Sequence, residues 1–128
     1  MEIKKYIKLK DLEVYKLARE LSKIGWEIYN SFNWQTKKII GDQFIESTDS
    51  VGANIAEGYG RFHYLDKIKF FYNARASLVE AVHWVELLKE RNIITDKQFK
   101  SFLGISEATS LKLQNFISSI YKAKNNEK

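Results

Sequence analysis

The sequence contains neither cysteine nor proline. Without cysteine the chain cannot form a disulfide, use a thiolate nucleophile or bind zinc through sulfur, and a reducing compartment suits it. We therefore expect a cytoplasmic protein. Because proline interrupts both helices and strands, its absence favours long continuous helices and counts against a loop-rich fold.

Long hydrophobic runs and a strong excess of one charge are also lacking. No stretch approaches the roughly 20 apolar residues of a membrane span, and the first residues lack the apolar run of a signal peptide. The chain has 21 basic and 16 acidic residues, giving a net charge of +5 without a block of like charge. With 128 residues, 45% of them hydrophobic, we expect a single domain over residues 1–128 with no membrane partner.

Apolar residues recur every three or four positions through most of the chain, as they do in core-facing helices. This spacing predicts helices over about residues 11–32, 36–58, 64–91 and 95–122. The predicted core stripe of the third helix is Phe71, Ala74, Leu78, Ala81, Val85 and Leu88. That of the fourth helix is Phe99, Leu103, Ser106, Ser110, Leu113, Ile117 and Ile120. Short connections between four such helices predict an all-α fold, an up-down-up-down antiparallel four-helix bundle.

Several residues predict where these helices begin and end. Thr36 is the expected N-cap of the second helix, and Thr95 with Gln98 predicts a capping box at the start of the fourth. Gly58 and Gly60 are expected to end the second helix in the left-handed conformation. The tail after the fourth helix has no apolar periodicity, so we expect it to fray.

Small and polar residues cluster where the second and third helices meet. A hairpin folded symmetrically about Arg61 places Gln43 near Glu80 and Arg75 near Ser47. We expect such groups to pair between the helices, because an unpartnered buried polar group costs roughly 1–3 kcal/mol. The alternative is that Arg75 and Glu80 point to water. The predicted structural motif comprises Gln43, Asn54, Glu57, Gly58, Arg75 and Glu80.

Three segments, at residues 42–43, 50–61 and 74–80, resemble the four-helix-bundle proteins encoded by intervening sequences in bacterial 23S rRNA genes. The Asn-Ile-Ala-Glu-Gly run at residues 54–58 is the most specific part of a resemblance that spans roughly residues 9–120. That family is similar to the accessory variability proteins of diversity-generating retroelements. The resemblance implies a ring-shaped homopentamer and supplies no biochemical role. Relatives often carry arginine where residues 44–49 are Phe-Ile-Glu-Ser-Thr-Asp, which weakens the case for nucleic-acid contact there.

Candidate catalytic residues are few. Glu80 and His83 have the Glu-x-x-His spacing of di-iron bundles, but the second motif that such a site needs is missing. His63 falls in a predicted turn, and the sequence has neither a nucleophile elbow nor a phosphate-binding glycine loop. We therefore predict a protein that is not an enzyme and uses no cofactor or metal. The alternative is a catalytic or metal-binding bundle that uses carboxylates and His83.

Aromatic residues beside the core stripes predict self-association. Tyr15, Trp26 and Tyr29 cluster about 90° from the centre of the first helix's stripe, and Trp84 flanks that of the third. Tyrosine and tryptophan on a surface are typical of interfaces, so we expect a homo-oligomer. In the alternative, long lysine and glutamate side chains cover these rings within a monomer.

Nucleic-acid binding is the main rival to a purely structural role. A ring would repeat each basic patch several times and so strengthen its field. The candidate contacts are Lys4, Lys5, Lys8, Lys10, Arg61, Lys67 and Lys69. No base-reading motif accompanies them, so binding to RNA or DNA should show little sequence preference and a steep dependence on salt. A protein partner, such as a nucleic-acid-processing enzyme, also fits an interaction scaffold.

Overall fold

The computed structural model describes residues 7–126 and contains four long helices in that range. They are α1 (Glu13–Asn30), α2 (Asp42–Tyr59), α3 (Tyr64–Glu90) and α4 (Asp96–Asn126). A 3-10 turn at Leu9–Asp11 precedes α1, while an α-helical turn at Trp34–Thr36 and a π-helical turn at Lys37–Gly41 lead into α2. Consecutive helices pack on each other and α4 packs on α1. The predicted all-α antiparallel four-helix bundle is confirmed, and residues 7–126 contain no strand.

The core is filled by the apolar stripes of all four helices. Every stripe residue predicted for α3 is buried: Phe71, Ala74, Leu78, Ala81, Val85 and Leu88. The ring of Phe44 on α2 lies 5.1 Å from that of Phe102 on α4, measured between centroids, and neither side chain has exposed surface. Aromatic rings therefore fill the centre between these two diagonally placed helices. None of the helices in the described range has the length and apolar character that crossing a membrane requires.

The predicted core stripe of α4 is wrong in its first half. Phe99 is half-buried and Ser110 is exposed, whereas Phe102 and Thr109 are buried. The observed stripe is Phe102, Ser106, Thr109, Leu113, Ile117 and Ile120. The hydroxyl of Thr109 donates to the Ile105 carbonyl oxygen at 2.6 Å, so a residue of polar type occupies a core position. The predicted stripe missed this position because its spacing was counted from Phe99 and so reached the neighbouring Ser110.

Both predicted ends of the second helix need correction. Asn33, not Thr36, caps the helical turn at Trp34–Thr36 that leads into α2, because its side-chain oxygen accepts a hydrogen bond from the Thr36 backbone N–H at 2.8 Å. No glycine in the described range has a positive φ, and Gly60 is right-handed at −77°. The small size of Gly58 serves packing instead: a Cβ there would lie 2.9 Å from Cε1 of Phe71.

The left-handed residue of this bundle follows α3. Asn92, with φ at 58°, is the one non-glycine residue of the described chain that has a positive φ. The Ile93 N–H donates to the Leu88 carbonyl oxygen at 2.9 Å, and the Asn92 N–H donates to that of Lys89 at 3.0 Å. These two bonds form a Schellman motif, which ends α3 with asparagine in the place that glycine usually takes.

The start of α4 agrees with the sequence, and its end does not. In the predicted capping box, the Thr95 hydroxyl accepts from the Gln98 N–H at 3.1 Å, and the Gln98 side-chain oxygen accepts from the Thr95 N–H at 2.9 Å. The tail does not fray where we expected, because α4 continues to Asn126. Lysine and alanine in this tail are good helix formers, so the last turns need no apolar contact to stay helical.

The register of the hairpin formed by α2 and α3 differs from the symmetric one. Folding about Arg61 would set Gly58 opposite Tyr64. Instead, a Cβ on Gly58 would lie 3.0 Å from Cβ of Phe70 and 2.9 Å from the ring of Phe71. The contact is therefore shifted along α3 by nearly two turns. The predicted polar pairs depended on the symmetric register.

Because of this shift, the predicted pair of Arg75 with Ser47 is wrong. The Arg75 guanidinium is exposed and donates to the side-chain oxygen of Gln114 on α4 at 3.0 Å. Glu80 is also exposed and accepts a bond from the Trp84 indole of its own helix at 3.0 Å. These two residues of the predicted motif therefore act on α3 and α4 and not on the contact between α2 and α3.

The polar motif residues of α2 also lack interhelical partners. Gln43 is exposed and makes no hydrogen bond with Glu80 in the described chain, so this predicted pair is wrong too. Asn54 donates to a carbonyl oxygen one turn earlier in α2, at 2.9 Å. Glu57 forms an exposed ion pair with Arg61 at 3.2 Å. The polar motif residues Asn54 and Glu57 therefore stabilise helix α2 and the turn after it, and the close contact between α2 and α3 is made at Gly58.

Candidate interaction surfaces

The predicted Glu80–His83 pair is engaged with an aromatic ring. His83 is exposed, and its ring meets that of Trp84 edge-on at 4.8 Å, while the Glu80 carboxylate accepts the indole N–H. Residues 7–126 contain no group of three or more histidine, aspartate or glutamate side chains that could hold a metal ion. The features that stand out are instead three surfaces: one on α1, one between α3 and α4, and one at an end of the bundle.

The first surface, which we call the α1 outer face, consists of Lys16, Arg19, Lys23 and Trp26. All four side chains are exposed, and they follow one another at three- and four-residue spacing on the side of α1 away from the core. Trp26 is 53% exposed. Arg19 donates to the Tyr15 hydroxyl at 3.0 Å, which holds its guanidinium near that ring. The three cations were not among the predicted contacts, although their spacing places them on a single stripe of α1.

The predicted aromatic interface does not form one surface. Trp26 stacks on Tyr29 with centroids 5.5 Å apart, but the Tyr29 hydroxyl donates to an Asp42 carboxylate oxygen at 2.6 Å. Two effects raise the pKa of Tyr29 above its usual value, because both favour the neutral phenol. The larger is this hydrogen bond, and the smaller is partial burial. Trp84 lies on α3, diagonally across the bundle from α1. Of the four predicted rings, Trp26 is the one with most of its surface exposed.

The second surface is a groove of about 690 Å³ between α3 and α4, which we call the α3–α4 groove. Its apolar lining is Leu78, Val79, Val82, Leu87 and Leu103. Val79 is 67% exposed. The Ser106 hydroxyl also lines the groove, is buried, and finds no hydrogen-bond partner in the described chain.

Three carboxylates border the same groove and form what we call its acidic rim. Glu86 and Glu90 lie one turn apart on α3, and Glu107 lies on α4. All three are exposed, and none forms an ion pair within residues 7–126. The nearest positive charge in the lining is Arg75, which is bound to Gln114 towards the other end of the groove. The rim therefore presents unpaired negative charge beside apolar surface.

The third surface, which we call the basic end, is where α1 and α3 begin and α2 and α4 end. The antiparallel topology brings Lys8, Lys10, Arg61, Lys67, Lys69, Lys122 and Lys124 to this end. Phe62 lies in the turn between α2 and α3 and is 89% exposed. The predicted contacts Lys4 and Lys5 lie outside the described residues. The fold thus gathers basic residues that are far apart in sequence.

Two predicted nucleic-acid contacts are engaged within the chain. The Lys67 ammonium donates to the Tyr59 carbonyl oxygen at 3.1 Å, and its partial burial lowers the pKa of this amine. The Arg61 guanidinium pairs with Glu57 and lies 4.7 Å from the centroid of the Phe70 ring. These side chains therefore stabilise the turn, and the exposed lysines provide the free charge of the basic end.

Comparison of the chain with known proteins identifies one family. The family model of the 23S rRNA-intervening sequence protein matches residues 10–115, which include α1 to α3 and most of α4. The chain is also similar to a crystal structure of a protein with unknown function from the S23 ribosomal protein family of Bacteroides thetaiotaomicron VPI-5482. The TM-score is 0.78 at 26% identity, over 82% of this chain and 98% of that chain. No curated protein matches.

Proposed function

We propose a role for this chain from its surfaces, because it belongs to the 23S rRNA-intervening sequence protein family and the solved structure to which it is similar has no known function. The protein is a self-assembling helical scaffold and not an enzyme. The observation that carries this proposal is the apolar surface that the single chain leaves uncovered. More than half of each of these side chains is exposed: Trp26, Trp34, Ile39, Phe62, Leu65, Val79 and Leu111. Large aromatic side chains such as Trp26, Trp34 and Phe62 are enriched at protein interfaces, which supports self-assembly.

Light scattering coupled to size exclusion tests self-assembly. At micromolar concentrations we expect a single species whose mass is a multiple of the 15.0 kDa subunit. The family resemblance favours five copies. Because association depends on concentration, a dilution series should release the subunit from the assembly. A mass of one subunit across the whole series would contradict the proposal.

A second candidate function, nucleic-acid binding, is favoured by the basic end. Its exposed lysines come from the start of the chain, the central turn and the end of α4, and a ring of subunits would repeat them around its axis. Phe62 is the exposed ring that an unpaired base can stack on, and such stacking tolerates any base. We propose contact with phosphates and stacked bases, with little sequence preference.

Fluorescence anisotropy with a structured RNA and a duplex DNA tests this second function. For the variant Lys8→Glu/Lys69→Glu we expect weaker binding and a salt slope reduced by about 2, because each lost phosphate contact removes about one unit. Lys97→Glu/Lys100→Glu changes the charge equally at the opposite end of the bundle and should leave binding unchanged. Equal losses in the two variants, or no binding at low salt, would contradict a site at the basic end.

A further inference from the structure

We propose that the α3–α4 groove receives the α1 outer face of a second copy of this chain, so that subunits join head to tail. The inference rests on the proposed self-assembly and names the two surfaces that meet. The occupant is a second copy because the same chain carries a surface that complements the groove in charge and in apolar character.

The positions of the two surfaces require separate copies. The α1 outer face points away from the core, and α1 packs on α2 and α4, whereas the groove opens between α3 and α4. One subunit therefore cannot bring its own α1 outer face into its own groove. When two different surfaces of a protein bind each other, every copy offers one of each, and the resulting assembly closes into a ring if the rotation between copies allows it.

The cations of the α1 outer face, which have Glu20 beside them, are opposite in charge to the acidic rim and similarly spaced. Arg19 and Lys23 lie four residues apart on α1, and Glu86 and Glu90 lie four residues apart on α3. At a rise of 1.5 Å per residue, each pair of charges is separated by about 6 Å along its helix. The carboxylates have no ion pair in the described chain, and Lys23 has none either. Complementary charge of this kind fixes which surfaces meet and in which register.

The apolar and polar parts of the groove also suit this occupant. Trp26 is a large exposed ring on the α1 outer face, and Val79 is the most exposed apolar residue of the groove lining. Tryptophan and arginine are the residue types that contribute most at protein interfaces. The acidic rim borders the same apolar lining, so the groove offers carboxylates to the cations and apolar surface to Trp26.

Charge reversal of each surface tests the proposal. The face variant is Arg19→Glu/Lys23→Glu, and the groove variant is Glu86→Lys/Glu90→Lys. All four positions are exposed, so both variants should keep the helical content and melting temperature of a folded subunit. In light scattering we expect each variant alone to associate at least about 100-fold more weakly than the wild type, because like charges then meet.

An equimolar mixture of the two variants should associate again, because each surface then finds one of opposite charge on the other variant, although this alternation closes only rings with an even number of copies. A chain that carries all four substitutions should also assemble. Lys97→Glu/Lys122→Glu makes the same charge change as the face variant at exposed positions of α4 outside both surfaces, and it should assemble as the wild type does.

The outcomes separate this inference from self-assembly itself. If the wild type assembles and the two variants do so equally well, the subunits meet elsewhere, and the α3–α4 groove belongs to another ligand. If each variant is dispersed and the chain that carries all four substitutions is dispersed as well, pairing of these two surfaces is wrong. A wild type that is monomeric at every concentration would overturn self-assembly and not only the choice of surfaces.

Discussion

Replacing Phe102 with alanine is expected to lower the free energy of unfolding by about 3–5 kcal/mol, the usual cost of removing a large buried ring. Phe102 has no exposed surface, and its ring lies 5.1 Å from that of Phe44 across the bundle. Both helices that supply these rings are held by their neighbours in the bundle, so the surroundings can collapse only partly into the space. The cavity left behind therefore adds to the lost apolar burial.

The matched control is Phe99→Ala, three residues earlier in the same helix. Phe99 is half-buried, so its truncation should cost only about 1–2 kcal/mol. Denaturant unfolding followed by circular dichroism gives both values, at one protein concentration because assembly contributes to stability. The sequence pattern had placed Phe99 in the core and left out Phe102. Equal losses of unfolding free energy in the two variants would support the predicted stripe and contradict the observed orientation of α4 about its own axis.

The fold was predictable because burial in a helical bundle follows apolar spacing. In α3 the apolar residues repeat without interruption, and each predicted core residue is buried. In α4 the prediction was correct for Ser106 and failed where Phe102 and Thr109 take the core positions that were assigned to Phe99 and Ser110. A threonine that bonds to its own helix backbone can be buried without an apolar character, and hydropathy does not register this possibility.

The register between helices was not predictable from the same pattern. Periodicity shows which face of a helix is buried, but it does not show how far one helix slides along another. That position depends on the turn after α2 and on the close approach at Gly58, and it separated Arg75 from Ser47. The polar pairs failed because their prediction assumed a symmetric turn.

The candidate surfaces could be predicted only in part, since each combines residues from different places. The exposed Trp26 was expected from its position beside the core stripe. The α3–α4 groove exists only when Val79 and Ser106 are brought together from two helices. That the Ser106 hydroxyl has no hydrogen-bond partner in the described chain is apparent only in this arrangement. The cations of α1 are different, because their stripe is present in the sequence. They were missed because single lysines on a helix are usually solvated.

Replacing Gly58 with leucine is expected to destabilise the protein by about 3 kcal/mol, at the upper end of the usual cost of overpacking. A Cβ at this position would lie 2.9 Å from Cε1 of Phe71 and 3.0 Å from Cβ of Phe70. The Phe71 ring is fully buried and meets Phe116 edge-on at 5.0 Å, so it has no free space to move into. Leucine adds three further carbons to the same contact, and α2 and α3 must separate.

Gly104→Ala is the control that isolates packing from helix propensity. Gly104 is also inside a helix, but a Cβ there would meet nothing within 4 Å, so alanine should stabilise α4 by about 0.5–1 kcal/mol. Thermal and denaturant unfolding of both variants should therefore give changes of opposite sign. Gly58→Ala should lie between them, because the gain in helix propensity offsets part of the clash. If Gly58→Leu were as stable as the wild type, α2 and α3 would not approach at this point, and the shifted register of the hairpin would be wrong.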